Sequence, residues 1–204
     1  MRAKAVDFKV TYINLREKPD WFLKISPHGK VPVLSVDDHP LFESNAIAEY
    51  LDETVAPRLH PEDPIKRARN RAWTDFVPDF ASSISGIYYA KTAQASADAM
   101  ELARVRLGRV EAALAERGND GPFFNGPELS LVDCSYAPFL QRFEFVEQRM
   151  QTGLLQEFPG VQAWANALLA DERVIGSVAD SFPEEFKNNL RRRQTHVAPL
   201  FEAA

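Results

Sequence analysis

Lys30-Val31-Pro32-Val33-Leu34, followed by Phe42-Glu43-Ser44-Asn45-Ala46-Ile47, decides how this chain folds. The first run is a strand over 31–36 entered through a proline. Asp37-Asp38 supplies a hairpin turn, and 40–42 is the returning strand. Ser44 then stands where an N-cap belongs, ahead of a helix running to about Thr54 with Ile47, Tyr50, Leu51 and Thr54 on one face. Working outward toward the N-terminus, Phe-Lys-Val-Thr-Tyr-Ile-Asn-Leu at 8–15 alternates and is rich in β-formers, so a strand is expected there. Lys18-Pro19-Asp20 opens a short helical segment through Ile25, with Pro19 suited to its first turn. Ser26-Pro27-His28-Gly29 is turn chemistry leading back to Val31.

Toward the C-terminus the character changes. Val55 to Pro64 reads Val-Ala-Pro-Arg-Leu-His-Pro-Glu-Asp-Pro, a stiff, proline-punctuated linker. Beyond it the apolar period is helical: Trp73, Phe76, Val77 and Phe80; Ala103, Leu107, Val110 and Leu114; Val161, Trp164, Ala165 and Leu168. Breaks fall at Gly118 to Pro127, and Pro159 and Pro183 open later helices. The expected organisation is an α/β domain over 1–56 and an all-helical domain over 62–204.

Two constellations in the first domain carry chemistry. At Val31-Pro32 the trans preference of the peptide bond falls to about 0.5–1 kcal/mol. A cis bond would turn the N–H and C=O of Val31 outward to pair with an extended peptide, whereas a trans proline would only mark a strand edge. At Glu43-Ser44 a helix start offers unpaired N–H groups and partial positive charge to a carboxylate. Glu43 beside it can accept hydrogen bonds from an ammonium group. Together they suit an amino-acid head group; the alternative is that they only cap and complement their own helix.

Composition narrows the partners. The net charge is −5 and the pI about 5.5, and the one dense basic cluster, Arg191-Arg192-Arg193, reads as a solvated helix end, so nucleic acid is a poor partner. No apolar run approaches the roughly 18–20 residues that span a bilayer. The N-terminus lacks the apolar core of a signal peptide. The lone Cys134 excludes an internal disulfide and fits a reducing cytoplasm. His28, His39, His60 and His196 lack metal-ligand spacing, so no metal is expected.

LREKPDWFLKISPHGKVPVL and LFESNAIAEYLDE resemble the glutathione-binding half of cytosolic glutathione transferases, with spacing most like the omega class and its bacterial relatives. FFNGPELSLVDCSYAPFL is similar to the capping-box motif of the family's helical half, with Ser130 and Asp133 opening a buried helix. The resemblance runs from residue 1 to about 195. It implies a thioredoxin-like domain followed by the all-α transferase domain, and glutathione as co-substrate. Glu43 and Ser44 would hold the γ-glutamyl head group, and the main chain of Val31, displayed by a cis Pro32, would pair with the cysteinyl unit. Lys18 would reach the glycine carboxylate. It further implies a homodimer, a small electrophile or disulfide as second substrate, and an electrophile pocket in the helical half near Trp73, Phe76, Tyr88 and Tyr89.

The departure from the family is specific. Its members begin with a strand and helix that carry the cysteine, serine or tyrosine acting on the glutathione sulfur. Here Met1 to Ala5 resembles the end of that helix, so the catalytic position is expected before residue 1 and no catalytic residue is assigned. Cys134, inside the capped helix, reads as packing. Loss of a central strand would leave two unpaired backbone edges. One of three outcomes is expected: a start upstream, which is favoured; closure of the strands at 8–15 and 31–36 on each other; or a loosely held 1–25. The rival reading is a transferase-like binding or scaffold protein without catalysis.

Overall fold

The computed structural model describes residues 1–202 and divides into two compact units, Met1–Arg67 and Ala68–Ala204. In the first unit a single 3₁₀ turn, Arg2–Lys4, is followed by helix α1, Asp20–Ile25, with Pro19 at its N-cap. Strands β1, Val33–Val36, and β2, His39–Phe42, form an antiparallel pair. Asp37 and Asp38 both have positive φ, 46° and 63°, which matches the twist of a two-residue hairpin loop. Helix α2, Ser44–Thr54, follows directly.

Two expectations in this unit are corrected. Residues 8–15 do not form a strand, because they pair with neither β1 nor β2; among the described residues the sheet is those two strands alone. A β-rich sequence becomes a strand only through the hydrogen bonds of a neighbour. Unpaired, it leaves Phe8, Val10, Tyr12 and Leu15 between 40% and 74% exposed. The strands at 8–15 and 31–36 therefore do not close up on each other. The N-cap of α2 is also one residue earlier than expected. Glu43 occupies it, with φ 67° and ψ 122°, and Ser44 is the first helical residue. The cap position needed a backbone that L-residues rarely adopt, and residue type gave no sign of it.

The boundary between the units falls inside α3, Pro64–Asp75. The second unit continues with α4 (Val77–Tyr89), α5 (Ala93–Ala115), α6 (Leu131–Met150), α7 (Pro159–Ala170), the short α8 (Glu172–Ile175) and α9 (Phe182–Arg192). Its core is the meeting of the apolar stripes: Phe80 and Ile84 from α4, Leu107 and Val110 from α5, Leu140 and Phe143 from α6, Trp164 and Leu168 from α7 are all buried. The expected capping box is formed. Ser130 Oγ accepts from Asp133 N, and Asp133 Oδ2 accepts from Ser130 N at 2.7 Å. Asp133 also takes the Phe124 amide and the Trp164 indole N–H at 2.9 and 2.7 Å, so one buried carboxylate ties α6, α7 and the preceding loop together. No helix among the described residues is long and apolar enough to cross a membrane.

Candidate functional site

The site is built on the short segment between α1 and α2. Phe22, the buried anchor of α1, accepts the Ser26 amide through its carbonyl at 2.9 Å. Buried Ser26 then braces the turn: its Oγ donates to Lys30 O at 2.8 Å and accepts from Lys30 N at 2.9 Å. Gly29 has φ 59°, a left-handed backbone that suits glycine. The next residue after this braced turn is Val31, and the Val31–Pro32 bond is cis. Val31 is exposed, and its main-chain N–H and C=O make no hydrogen bond to the described residues.

The hairpin register carries this edge to the start of α2. Val33 faces Phe42, so continuing the antiparallel pairing by one step sets Pro32 beside Glu43. The Glu43 carbonyl accepts the Ile47 amide at 3.0 Å, the first bond of the helix, while no side chain caps the helix start. The amides of Ser44, Asn45 and Ala46 are therefore open at the positive end of an 11-residue helix. A non-glycine residue held at positive φ costs on the order of 1–3 kcal/mol and persists where surrounding structure imposes it. Glu43 sits at such a position, between strand and helix.

The charged side chains gather around the same turn. Lys18 Nζ lies 3.9 Å from where a Cβ on Gly29 would sit. From the same turn, His28 Nδ1 is 2.9 Å from Glu43 Oε1, and the His28 ring packs edge-on against Phe42 with centroids 5.5 Å apart. All five residues expected from sequence, Lys18, Val31, Pro32, Glu43 and Ser44, are exposed on the first unit. His28 is the member that sequence reasoning missed. In sequence it reads only as turn chemistry, and only the hairpin register brings it across 15 residues to Glu43.

The opposite end of α2 is fixed by a second missed residue. Lys4 Nζ pairs with Asp52 Oδ1 at 2.9 Å and donates to the carbonyls of Val55 and Pro57. Asp52 also accepts the amides of Leu59 and His60, at 2.6 and 3.2 Å. Burial pushes the Asp52 carboxyl up, but the Leu59 amide, the Lys4 ammonium and the His60 amide together hold it below the ordinary carboxylate value. His60 Nε2 lies 2.8 Å from Glu49 Oε1, tying the linker back to α2 once more.

Elsewhere the thiol and phenol groups are set for packing. Burial, helped by the Asp133 charge, pushes the Cys134 thiol up to about 11, so it stays protonated at neutral pH. Burial likewise raises the Tyr88 and Tyr136 phenols. Of the aromatic positions considered for an electrophile pocket, Tyr88 is core, at 1% exposure, while Trp73, Phe76 and Tyr89 are half-buried. Phe76 lies under the guanidinium groups of Arg106 and Arg109, 5.7 and 5.8 Å from its centroid.

Comparison with known proteins agrees with this architecture. Residues 1–53 match the model of the glutathione S-transferase N-terminal domain, and residues 97–167 match that of the C-terminal domain. Glutathione S-transferase U16 of Arabidopsis thaliana is 34% identical over 182 residues, covering 85% of this chain and 78% of the relative. Glutathione S-transferase omega-1 of Rattus norvegicus is 31% identical over 149 residues, covering 72% and 61% respectively. Among solved structures, a tau-class glutathione S-transferase from mango, Mangifera indica, superposes with a TM-score of 0.79 at 28% identity, covering 93% of this chain and 92% of that one. Rice GST1, solved in complex with glutathione, gives a TM-score of 0.76 at 25% identity, with 95% and 91% covered. With both domain models matched in order and over three-quarters of a 34%-identical relative covered, the chain belongs to the glutathione S-transferase family.

Proposed function

We propose that the first unit binds glutathione along the Val31 edge, with its two charged ends read by Lys18 and by the start of α2. One observation carries this. An open main chain at Val31 follows directly on a turn that gathers a cation, Lys18, beside Gly29, and, through His28, an anion, Glu43, at an uncapped helix start. Glutathione is an extended tripeptide with a carboxylate at one end and an amino-acid head group at the other. The glycine carboxylate goes to Lys18. The cysteinyl unit pairs with Val31 as an added strand. The γ-glutamyl carboxylate meets the open amides of Ser44 and its neighbours, and its ammonium meets Glu43. That rice GST1 is solved in complex with glutathione supports glutathione as the ligand.

The chemistry is that of the bound thiol: attack of the thiolate on a small electrophile, or exchange with a disulfide. This chain's contribution is to bind and orient the peptide so that its sulfur is presented in one place. Cys134 takes no part, because its thiol is held protonated within the helical unit. We extend the proposal to a cytoplasmic homodimer, in keeping with the family, the acidic charge balance and the single cysteine.

The test is calorimetric titration of the 204-residue chain with glutathione, alongside conjugation and thiol-transfer assays. Binding with micromolar to millimolar affinity, weakened at least about tenfold by Glu43→Ala, supports the site, since that change removes a charge-assisted contact. No binding, or a Glu43→Ala variant that binds like wild type, overturns it. Binding without turnover in either assay would move the assignment to the non-catalytic binding protein.

A further inference from the structure

We infer that His28 is a positioning residue for Glu43, holding its carboxylate in the one orientation that receives the ligand's ammonium group. The role rests on the glutathione-binding assignment above. An ionised carboxylate has only acceptors, so at a separation of 2.9 Å the His28 Nδ1 carries the proton and donates to Glu43 Oε1. Oε2 of the same carboxylate takes no hydrogen bond among the described residues. One oxygen is therefore fixed by the protein and the other is left for a cation. The Glu43 side chain is exposed, 57% accessible, and without this bond its three torsions would turn freely.

The imidazole is itself held in place. Its ring lies edge-on to Phe42, the residue immediately before Glu43, at 5.5 Å and 68°. It also belongs to the turn whose ends are locked by the two Ser26–Lys30 bonds. The histidine thus bridges two segments that both contact the proposed ligand: the turn leading to Val31 and the strand leading to Ser44. Immobilising a carboxylate before binding removes an ordering cost from the binding step, worth about fivefold in affinity for one rotamer-rich side chain. This geometry also sets specificity, because a fixed carboxylate oxygen favours ligands that keep a free ammonium.

The test compares wild type, His28→Ala, His28→Phe and His28→Asn in calorimetric titrations with glutathione and with N-acetylglutathione, which lacks the ammonium. His28→Phe keeps an aromatic ring against Phe42 and removes Nδ1; His28→Asn can return an N–H close to where Nδ1 stood. The expected result is a loss of about fivefold in glutathione affinity for Ala and Phe, with Asn recovering most of it. With N-acetylglutathione, all four proteins should bind within twofold of one another. In the Glu43→Ala background, His28→Ala should then change nothing. If His28→Ala binds glutathione like wild type while Glu43→Ala still weakens it, the role of His28 is overturned and the site stands. An equal loss toward both ligands, or no recovery in Asn, likewise overturns the positioning role. If Glu43→Ala itself has no effect, the parent assignment fails and takes this one with it.

Discussion

Replacing Lys4 by methionine should loosen α2 by about 3 kcal/mol, at the lower end of the cost of breaking a buried ion pair. The side chains of Lys4 and Asp52 are only 2% and 5% exposed, so solvent screens the pair little. The substitution keeps the length of the aliphatic stem and removes three interactions: the ion pair with Asp52 and the bonds to the carbonyls of Val55 and Pro57. Asp52 would remain charged with two amide donors, from Leu59 and His60, which is why the lower end of the range applies. Native-state hydrogen exchange of the α2 amides reads this directly, and about 3 kcal/mol corresponds to exchange faster by roughly 100-fold. Lys4→Met combined with Asp52→Asn should recover much of the loss, since no charge is then left unpaired. Exchange within threefold of wild type in Lys4→Met, or a double variant as unstable as the sum of the singles, would refute the account. The pH dependence has a definite sign. In wild type the folded Asp52 value lies below the ordinary 3.8, so its stabilisation is complete above that value and is lost as the pH falls through the lower, folded one. In Lys4→Met the unpaired carboxylate protonates at higher pH than in wild type, so the deficit relative to wild type should shrink toward acid.

Cys134 should resist thiol reagents at pH 8, where a group titrating at about 11 is almost wholly protonated, and should react only on unfolding; fast modification of the native chain would contradict its burial. Asp133→Ala should destabilise the helical unit by more than about 3 kcal/mol, measured by urea unfolding, because several buried donors lose their acceptor at once. Those donors are the Ser130 amide and hydroxyl, the Phe124 amide and the Trp164 indole N–H. Ser26→Ala should weaken glutathione binding while leaving the helical unit untouched, since it frees both main-chain groups of Lys30 just ahead of Val31.

The features legible in the sequence are those whose causes act over a few residues. Ser130 and Asp133 are three apart, and each satisfies the other's helix start, so the motif and the structure are one statement. Asp37-Asp38 tolerates the positive φ that a tight hairpin demands, and the spacing of Trp164 to its neighbours dictates one buried face of α7. What escaped depends on distant partners. Residues 8–15 have strand composition, yet strand formation is decided by pairing with a neighbour, and they pair with neither β1 nor β2. Lys4 reads as a helix end, and nothing local says that its ammonium is buried against a carboxylate 48 positions on. The one-residue error at Ser44 has the same origin. The cap there is set by the hairpin delivering Glu43 at φ 67°, which no residue preference of glutamate foretells.

The two ends of α2 allow the site assignment to be separated from the helix's stability. Glu43 and Ser44 stand at its N-terminus, and Asp52, anchored by Lys4, stands near its C-terminus, about 12 Å along the axis at 1.5 Å per residue. Loosening the C-terminal end changes affinity only if the helix spends an appreciable fraction of time open, because apparent affinity falls by the closed fraction. If α2 opens in wild type at a cost of about 5 kcal/mol, a loss of about 3 leaves it closed more than nine-tenths of the time. Lys4→Met should therefore bind glutathione within twofold of wild type while its α2 amides exchange much faster. Linkage then requires the converse: glutathione at 100 times its dissociation constant should slow α2 exchange in Lys4→Met by about 100-fold, through stabilisation of about 2.7 kcal/mol. The amides of α6, in the other unit and capped by Ser130 and Asp133, should show no such slowing. Protection of α6 with α2 unaffected would place the ligand on the helical unit and remove Glu43 and Ser44 from its site.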